Sequence, residues 1–118
     1  MMTSQQAGAE QEQKIETLRE LREALGLTQA ELGRVLGFST RWVASQEAAS
    51  QTPLERRVIE LERLYRALSE VVQPESIRGW FTRPSPAFDG LKPMEVVERG
   101  QIDRLWQMIF FLESGVAS

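Results

Sequence analysis

Residues 27–53 read LTQAELGRVLGFSTRWVASQEAASQTP, and the interpretation of this stretch decides the fold. Thr28, with Glu31 three positions on, has the capping-box pattern, in which a hydroxyl and a carboxylate satisfy the free amide groups at a helix start. Leu32, Val35 and Leu36 fall on one face of the helix that follows. Gly37 stands just past its end, where a left-handed residue stops the turn, and Phe38 plugs the corner. Ser39 is placed to cap a second helix from about Thr40 to Ala48. There Thr40, Arg41, Ala44 and Ser45 share a polar face, while Val43 points back into the bundle. Two short helices joined by a tight turn, the second offering short polar side chains outward, have helix-turn-helix geometry.

The flanking segments support this unit. Residues 1–13 are rich in Gln, Ala, Ser and Glu without apolar periodicity and are expected to form a disordered lead-in. From Lys14 the pattern changes: Ile15, Leu18, Leu21 and Leu25 recur at helical spacing and Gly26 supplies a stop, giving a helix that braces the motif. After a short polar loop, Pro53 sits where a proline best opens a helix. Leu54, Val58, Leu61, Tyr65, Leu68 and Val72 then alternate by four and three, with Ile59 and Leu64 widening the stripe. Leu54 and Val58 are expected to pack on their own domain. The seam is too short for a coiled coil and is expected to connect to the second half or to meet a second copy.

Pro74 should end that helix, and Glu75 to Phe81 should form a short one bringing Trp80 and Phe81 to an interior face. Arg83 to Pro93 (RPSPAFDGLKP) holds three prolines beyond Arg83 and a glycine, which excludes regular structure, yet Phe88 and Leu91 imply a fixed, packed loop. Pro93 opens a short helix through Met94, Val96 and Val97, and Gly100 breaks it. Ile102 to Glu113 forms a last, strongly apolar helix. Leu105 is assigned to the core with Trp80. Trp106, Ile109, Phe110 and Phe111, with Leu105 and Leu112 beside them, cover more of the circumference than one core face buries, so part of this helix should meet another chain.

Composition narrows the function. With 118 residues, 42% hydrophobic and 26% charged, the chain can build one compact domain or two small ones sharing a core. It contains no Cys and no His, which removes disulfides, thiol and imidazole catalysis, and thiolate or imidazole metal ligands. Its carboxylates alternate with arginines on helical faces as solvated pairs. No active site, cofactor or metal site is read. A net charge of -3 argues against non-specific coating of nucleic acid. DNA contact therefore requires a locally basic face, with Arg34, Arg41, Arg56 and Arg57 as candidates, and a dimer to double it. No apolar run reaches membrane-spanning length and no signal peptide opens the chain, so a cytoplasmic protein is expected.

Leu27-Thr28-Gln29, Glu31-Leu32, Leu36-Gly37, Ser39 and Val43 with Glu47 resemble the Xre/Cro-type helix-turn-helix family. An ordinary helical hairpin would use Thr28 and Ser39 only as caps; the agreement of spacing, glycine and caps favours the nucleic-acid reading. The order Trp80, Pro84, Pro86-Ala87, Asp89-Gly90, Pro93, a short helix and a closing helix ending Leu112-Glu113-Ser114-Gly115 resembles the C-terminal domain of Xre/MbcA/ParS-type antitoxins. Ser85 and Phe88 stand where that family more often has Asn and Leu. The expectation is an all-α protein with a lead-in over 1–13, a helix-turn-helix DNA-binding domain over 14–73 and a small helical toxin-binding domain over 74–118.

The resemblance implies a non-enzymatic antitoxin that occludes a RES-domain, NAD-consuming toxin and represses its own operon, expected as a homodimer on operator DNA. Thr28, Gln29, Arg34, Ser39, Thr40, Arg41, Ala44 and Ser45 are the expected DNA-binding residues. Trp106, Ile109, Phe110, Phe111 and Glu113, extended by the tail from Gly115, are the expected toxin-binding ones. The alternative is a stand-alone repressor whose C-terminal half is a dimerisation domain.

Overall fold

The structure is a computed structural model that describes residues 15–50 and 53–115; the expected lead-in lies outside the described residues. Among the described residues it is all-helical. The helices are α1 (Leu18–Leu25), α2 (Gln29–Leu36), α3 (Thr40–Ala48), α4 (Arg56–Val71), α5 (Pro74–Phe81), α6 (Pro93–Glu98) and α7 (Ile102–Ser114), with a 3-10 turn at Pro86–Phe88.

The helix-turn-helix forms where its caps dictate. The Thr28 hydroxyl accepts from the Glu31 amide at 3.0 Å and the Glu31 carboxylate accepts from the Thr28 amide at 2.9 Å. The Ser39 hydroxyl accepts from the Trp42 amide at 3.0 Å and so opens α3. Thr17 and Glu20 build a matching box on α1, which leaves Ile15 ahead of the helix rather than on it, partly buried against the core. Gly33, inside α2, permits the tight crossing to α3: a Cβ there would lie 2.6 Å from the Phe38 carbonyl oxygen. Phe38 and Trp42 stack across the corner with ring centroids 4.1 Å apart.

One buried polar network then locks α3 in place. Glu47 projects inward from α3 with its side chain 1% exposed. Arg22 of α1 grips it with two bonds, Nε to Oε2 at 2.6 Å and Nη2 to Oε1 at 3.0 Å, and the Gln29 amide nitrogen donates to Oε1 at 3.0 Å. A third Arg22 nitrogen donates to the Leu27 carbonyl at 3.2 Å. Burial pushes the Glu47 carboxyl up, but hydrogen bonds from Arg22 and Gln29 and the charges of Arg22 and Arg19 outweigh it and hold the group below its ordinary value.

α4 begins at Arg56, three residues later than Pro53 suggested. Leu54 therefore falls outside the helical stripe and is 93% exposed instead of packed, while Val58 is buried as expected. The helix ends at Val71, and Gln73, restricted by the proline after it, is extended (ψ 131°), so Pro74 opens α5 rather than closing α4. Phe81 is fully buried; Trp80 is half-buried against Phe81 and Phe88.

The proline-rich loop is built around Ser85. Its hydroxyl accepts from the Ala87 amide at 3.2 Å, its carbonyl accepts from Phe88 and Gly90, and its amide donates to Leu91, each at 3.0 Å. Serine thus caps the 3-10 turn, and consecutive left-handed residues, Asp89 (φ 59°) and Gly90 (φ 85°), reverse the chain. Phe88 is buried beneath the Arg104 guanidinium, 5.4 Å from the ring centroid.

The segments after Pro74 fold back onto those before it: α5 lies on α1, α6 on α2 and α7 on α4. Buried side chains from Leu18 to Ile109 consequently form one cluster spanning both halves.

Two substitutions test this account. Gly33→Ala should destabilise despite alanine's helix preference of up to about 1 kcal/mol, because overpacking against backbone costs about 1–3 kcal/mol. Urea unfolding would expose the opposite sign if α2 and the turn can slide apart. Glu47→Ala should cost about 3 kcal/mol, the low end for a broken buried pair because Arg22 keeps some solvent contact. Because the folded pKa is depressed, the Glu47 contribution is complete above the ordinary value of 4.5 and disappears as pH falls through the lower folded value. Urea midpoints between about pH 7 and pH 3 should accordingly change less in Glu47→Ala than in the parent chain; equal changes would remove Glu47 from the acid response.

Candidate nucleic-acid interface and partner surface

On α3 the residues facing solvent are Thr40, Arg41, Ser45 and Ala48, with Ala44 half-buried. The helix's one carboxylate, Glu47, is turned inward and neutralised, so its outer face carries Arg41 and no negative charge. Arg41 has no ion pair among the described residues and is exposed. Thr28 and Ser39 are exposed at the starts of α2 and α3, where free amide groups add positive potential to their caps. Gln29 is half-buried and commits its amide nitrogen to Glu47, which makes it a brace between α2 and α3.

The wider basic face expected from sequence is divided by the packing. Arg34 sits on the opposite side of α2 from Gln29, 3.8 Å from Glu98 at the end of α6. Arg57 reaches across to the last turn of α2 and donates to the Leu36 carbonyl at 3.0 Å, supplying both a partner and a positive charge to a helix C-terminus. Arg56 borders a groove with Leu54 and Trp106. Of the four candidate arginines, Arg41 alone lies on α3.

α7 carries the aromatic surface. Ile109, assigned from sequence to toxin binding, is 2% exposed and packs in the core with Leu105. It is corrected to a structural residue, since a buried side chain offers a partner nothing. Trp106 is half-buried. Phe110, Phe111 and Leu112 are 67%, 56% and 43% exposed, and Glu113 beside them is exposed. Phe111 and Leu112 also line a groove of about 330 Å³ with Phe88, Arg104 and Met108. Among the described residues no helix is long and apolar enough to cross a membrane. Of the tail expected to extend this surface, residues 116–118 lie outside the described residues.

Sequence reasoning missed Arg22 as a ligand of Glu47 and Arg57 as a cap. Arg22 borders the apolar stripe of α1, and Glu47 follows buried Val43 by one turn; that pairing of an arginine and a glutamate on two apolar faces was the available signal. Nothing local announces Arg57, whose partner lies 21 residues away.

Residues 16–74 match a helix-turn-helix domain family. The mycobacterial cidal antitoxin MbcA of Mycobacterium tuberculosis is 32% identical over 97 residues, covering 80% of this chain and 86% of that protein. MbcA of Mycobacterium bovis matches to the same extent. Among solved structures, a chain of the crystal structure of the M. tuberculosis MbcT-MbcA toxin-antitoxin complex superposes with a TM-score of 0.65 at 31% identity, covering 84% of this chain and 92% of that one. An alignment of 97 residues does not fit within the first 74, so the likeness extends beyond the helix-turn-helix into the C-terminal half. The chain therefore belongs to the Xre-type, MbcA-like antitoxin family.

Proposed function

We propose that this chain binds and occludes a RES-domain, NAD-consuming toxin through the exposed end of α7, and that as a pair of copies it represses its own operon through α3. The observation that carries the toxin half of this reading is the run Phe110, Phe111 and Leu112, three consecutive large apolar side chains left in solvent at one helix end. Consecutive residues point around most of a helix, so packing on one face cannot cover all three; a partner surface can. The M. tuberculosis complex, in which a relative is held by a toxin, supports a toxin as that partner. With no Cys or His in the chain, restraint acts by shutting substrate out, with Glu113 at the rim. The division of labour falls near Gln73 and Pro74, DNA binding before it and toxin binding after.

The outward face of α3 supports the DNA half. Arg41 is exposed, has no ion pair among the described residues and stands among short polar neighbours, Thr40 and Ser45, which leaves the backbone free to approach a major groove. A module of this modest charge contacts few phosphates, which is why two copies on two half-sites about 34 Å apart are proposed.

Co-expression with a RES-domain toxin, followed by co-purification and an NAD-depletion assay, tests the reading. Phe111→Ala should keep its helicity, because the side chain is 56% exposed. It should weaken toxin binding by about 2 kcal/mol or more, roughly thirtyfold. Full neutralisation by folded Phe110→Ala and Phe111→Ala variants would move the toxin surface elsewhere. Arg41→Ala should cost about 1–3 kcal/mol per half-site and relax selectivity at one base position. Uniform weakening on all sequences would make Arg41 a phosphate contact instead.

A further inference from the structure

A second apolar depression shares no residue with the Phe110–Leu112 run or with the outward face of α3. Leu54 stands 93% exposed just ahead of α4. Beside it Arg56, Ile59, Glu60 and Arg63 of α4 and Trp106 of α7 line a groove of about 530 Å³. It shares no residue with the groove beneath Phe111 and Leu112, because Trp106 and Phe111 project from different flanks of α7. Phe110 follows Trp106 by one helical turn, so the groove adjoins the proposed toxin surface while sharing no residue with it.

Its chemistry fits a copy of itself. A twofold interface must be self-complementary, each residue i facing j while j faces i. Arg56, Glu60 and Arg63 follow one another along α4 at helical spacing with alternating sign, and none has an ion pair among the described residues. An antiparallel copy sets Arg56 against Glu60 and Glu60 against Arg56, two pairs from one axis, where a face of single sign would repel its twin. The same face holds both a projecting apolar residue, Leu54, and a depression floored by Ile59 and Trp106. We infer that this face joins two copies of the chain about a twofold axis, the Leu54 of each entering the groove of the other. The inference rests on the paired-copy part of the proposed function and names the surface that makes the pair.

Sedimentation of the full-length chain without toxin or DNA tests it. The parent chain should sediment at twice its 13.5 kDa mass. Leu54→Glu touches no buried contact, so it should retain its helicity by circular dichroism and raise the dimer dissociation constant roughly thirtyfold or more. Glu60→Arg should likewise yield monomers, and the exchange Arg56→Glu with Glu60→Arg should restore dimers. Toxin co-purification provides an independent readout, and folded monomeric Leu54→Glu should still capture toxin. A monomeric parent chain, a dimeric Leu54→Glu, or an exchange that fails to restore dimers would overturn the inference. So would a Leu54→Glu chain that stays dimeric but loses toxin, which would give this face to the toxin. Should the parent chain capture no toxin at all, the toxin reading fails while the sedimentation result still decides the interface.

Discussion

The grip of Arg22 on Glu47 is the constraint on which the helix-turn-helix depends. Helices of eight and nine residues are too short to be stable alone, so their mutual placement must come from tertiary contacts. Apolar packing brings α1, α2 and α3 together but is non-directional. A bidentate guanidinium-carboxylate pair, joined by the Gln29 amide, has one satisfactory geometry. Burying it costs desolvation, so its value lies less in net stability than in selecting a single register for α3. The same inward turn removes the only carboxylate of α3 from the surface, so one residue both orients the helix and clears its outer face.

That arrangement resolves the tension between a net charge of -3 and a DNA-binding fold. Net charge describes the whole surface, whereas an interface responds to the charge within about one Debye length, roughly 8–10 Å. The two carboxylates of α2 and α3 are both engaged: Glu31 in a capping box and Glu47 in the core. Arginines are distributed by the same logic. Arg57 completes the end of α2 from α4 and Arg34 meets Glu98 of α6, so both tie α2 to elements other than α3.

The C-terminal half in turn is not a separate appendage. Gly26, left-handed at φ 75°, ends α1 where the Arg78 carbonyl of α5 approaches so closely that a Cβ would lie 2.6 Å from it. With α6 on α2 and α7 on α4, the position of the aromatic surface is set by the helix-turn-helix beneath it. The loop from Arg83 to Pro93 is what permits this return, since Ser85 satisfies its backbone groups while Phe88 anchors it to the cluster.

Much of this was legible in the sequence because it is local. A cap hydroxyl, a glycine after a periodic run or a proline at a first turn acts through bonds spanning two to five residues, and Thr28, Ser39, Gly37 and Pro93 behave as their spacing requires. All-helical class, the motif and the packed loop followed from such signals. Signals of this kind were weaker at Pro53, where no side chain caps the helix start and α4 opens late, leaving Leu54 outside. Periodicity also showed that α7 is too apolar for one face. It could not say which residues would be covered, because Ile109 and Phe110 are adjacent and equally apolar. Only the approach of α4 and α6 from one side buries the first and leaves the second 67% exposed. The inward turn of Glu47, the diversion of Arg34 and the separation of two grooves along α7 were likewise decided by elements distant in sequence, because burial and charge pairing depend on what the fold brings alongside.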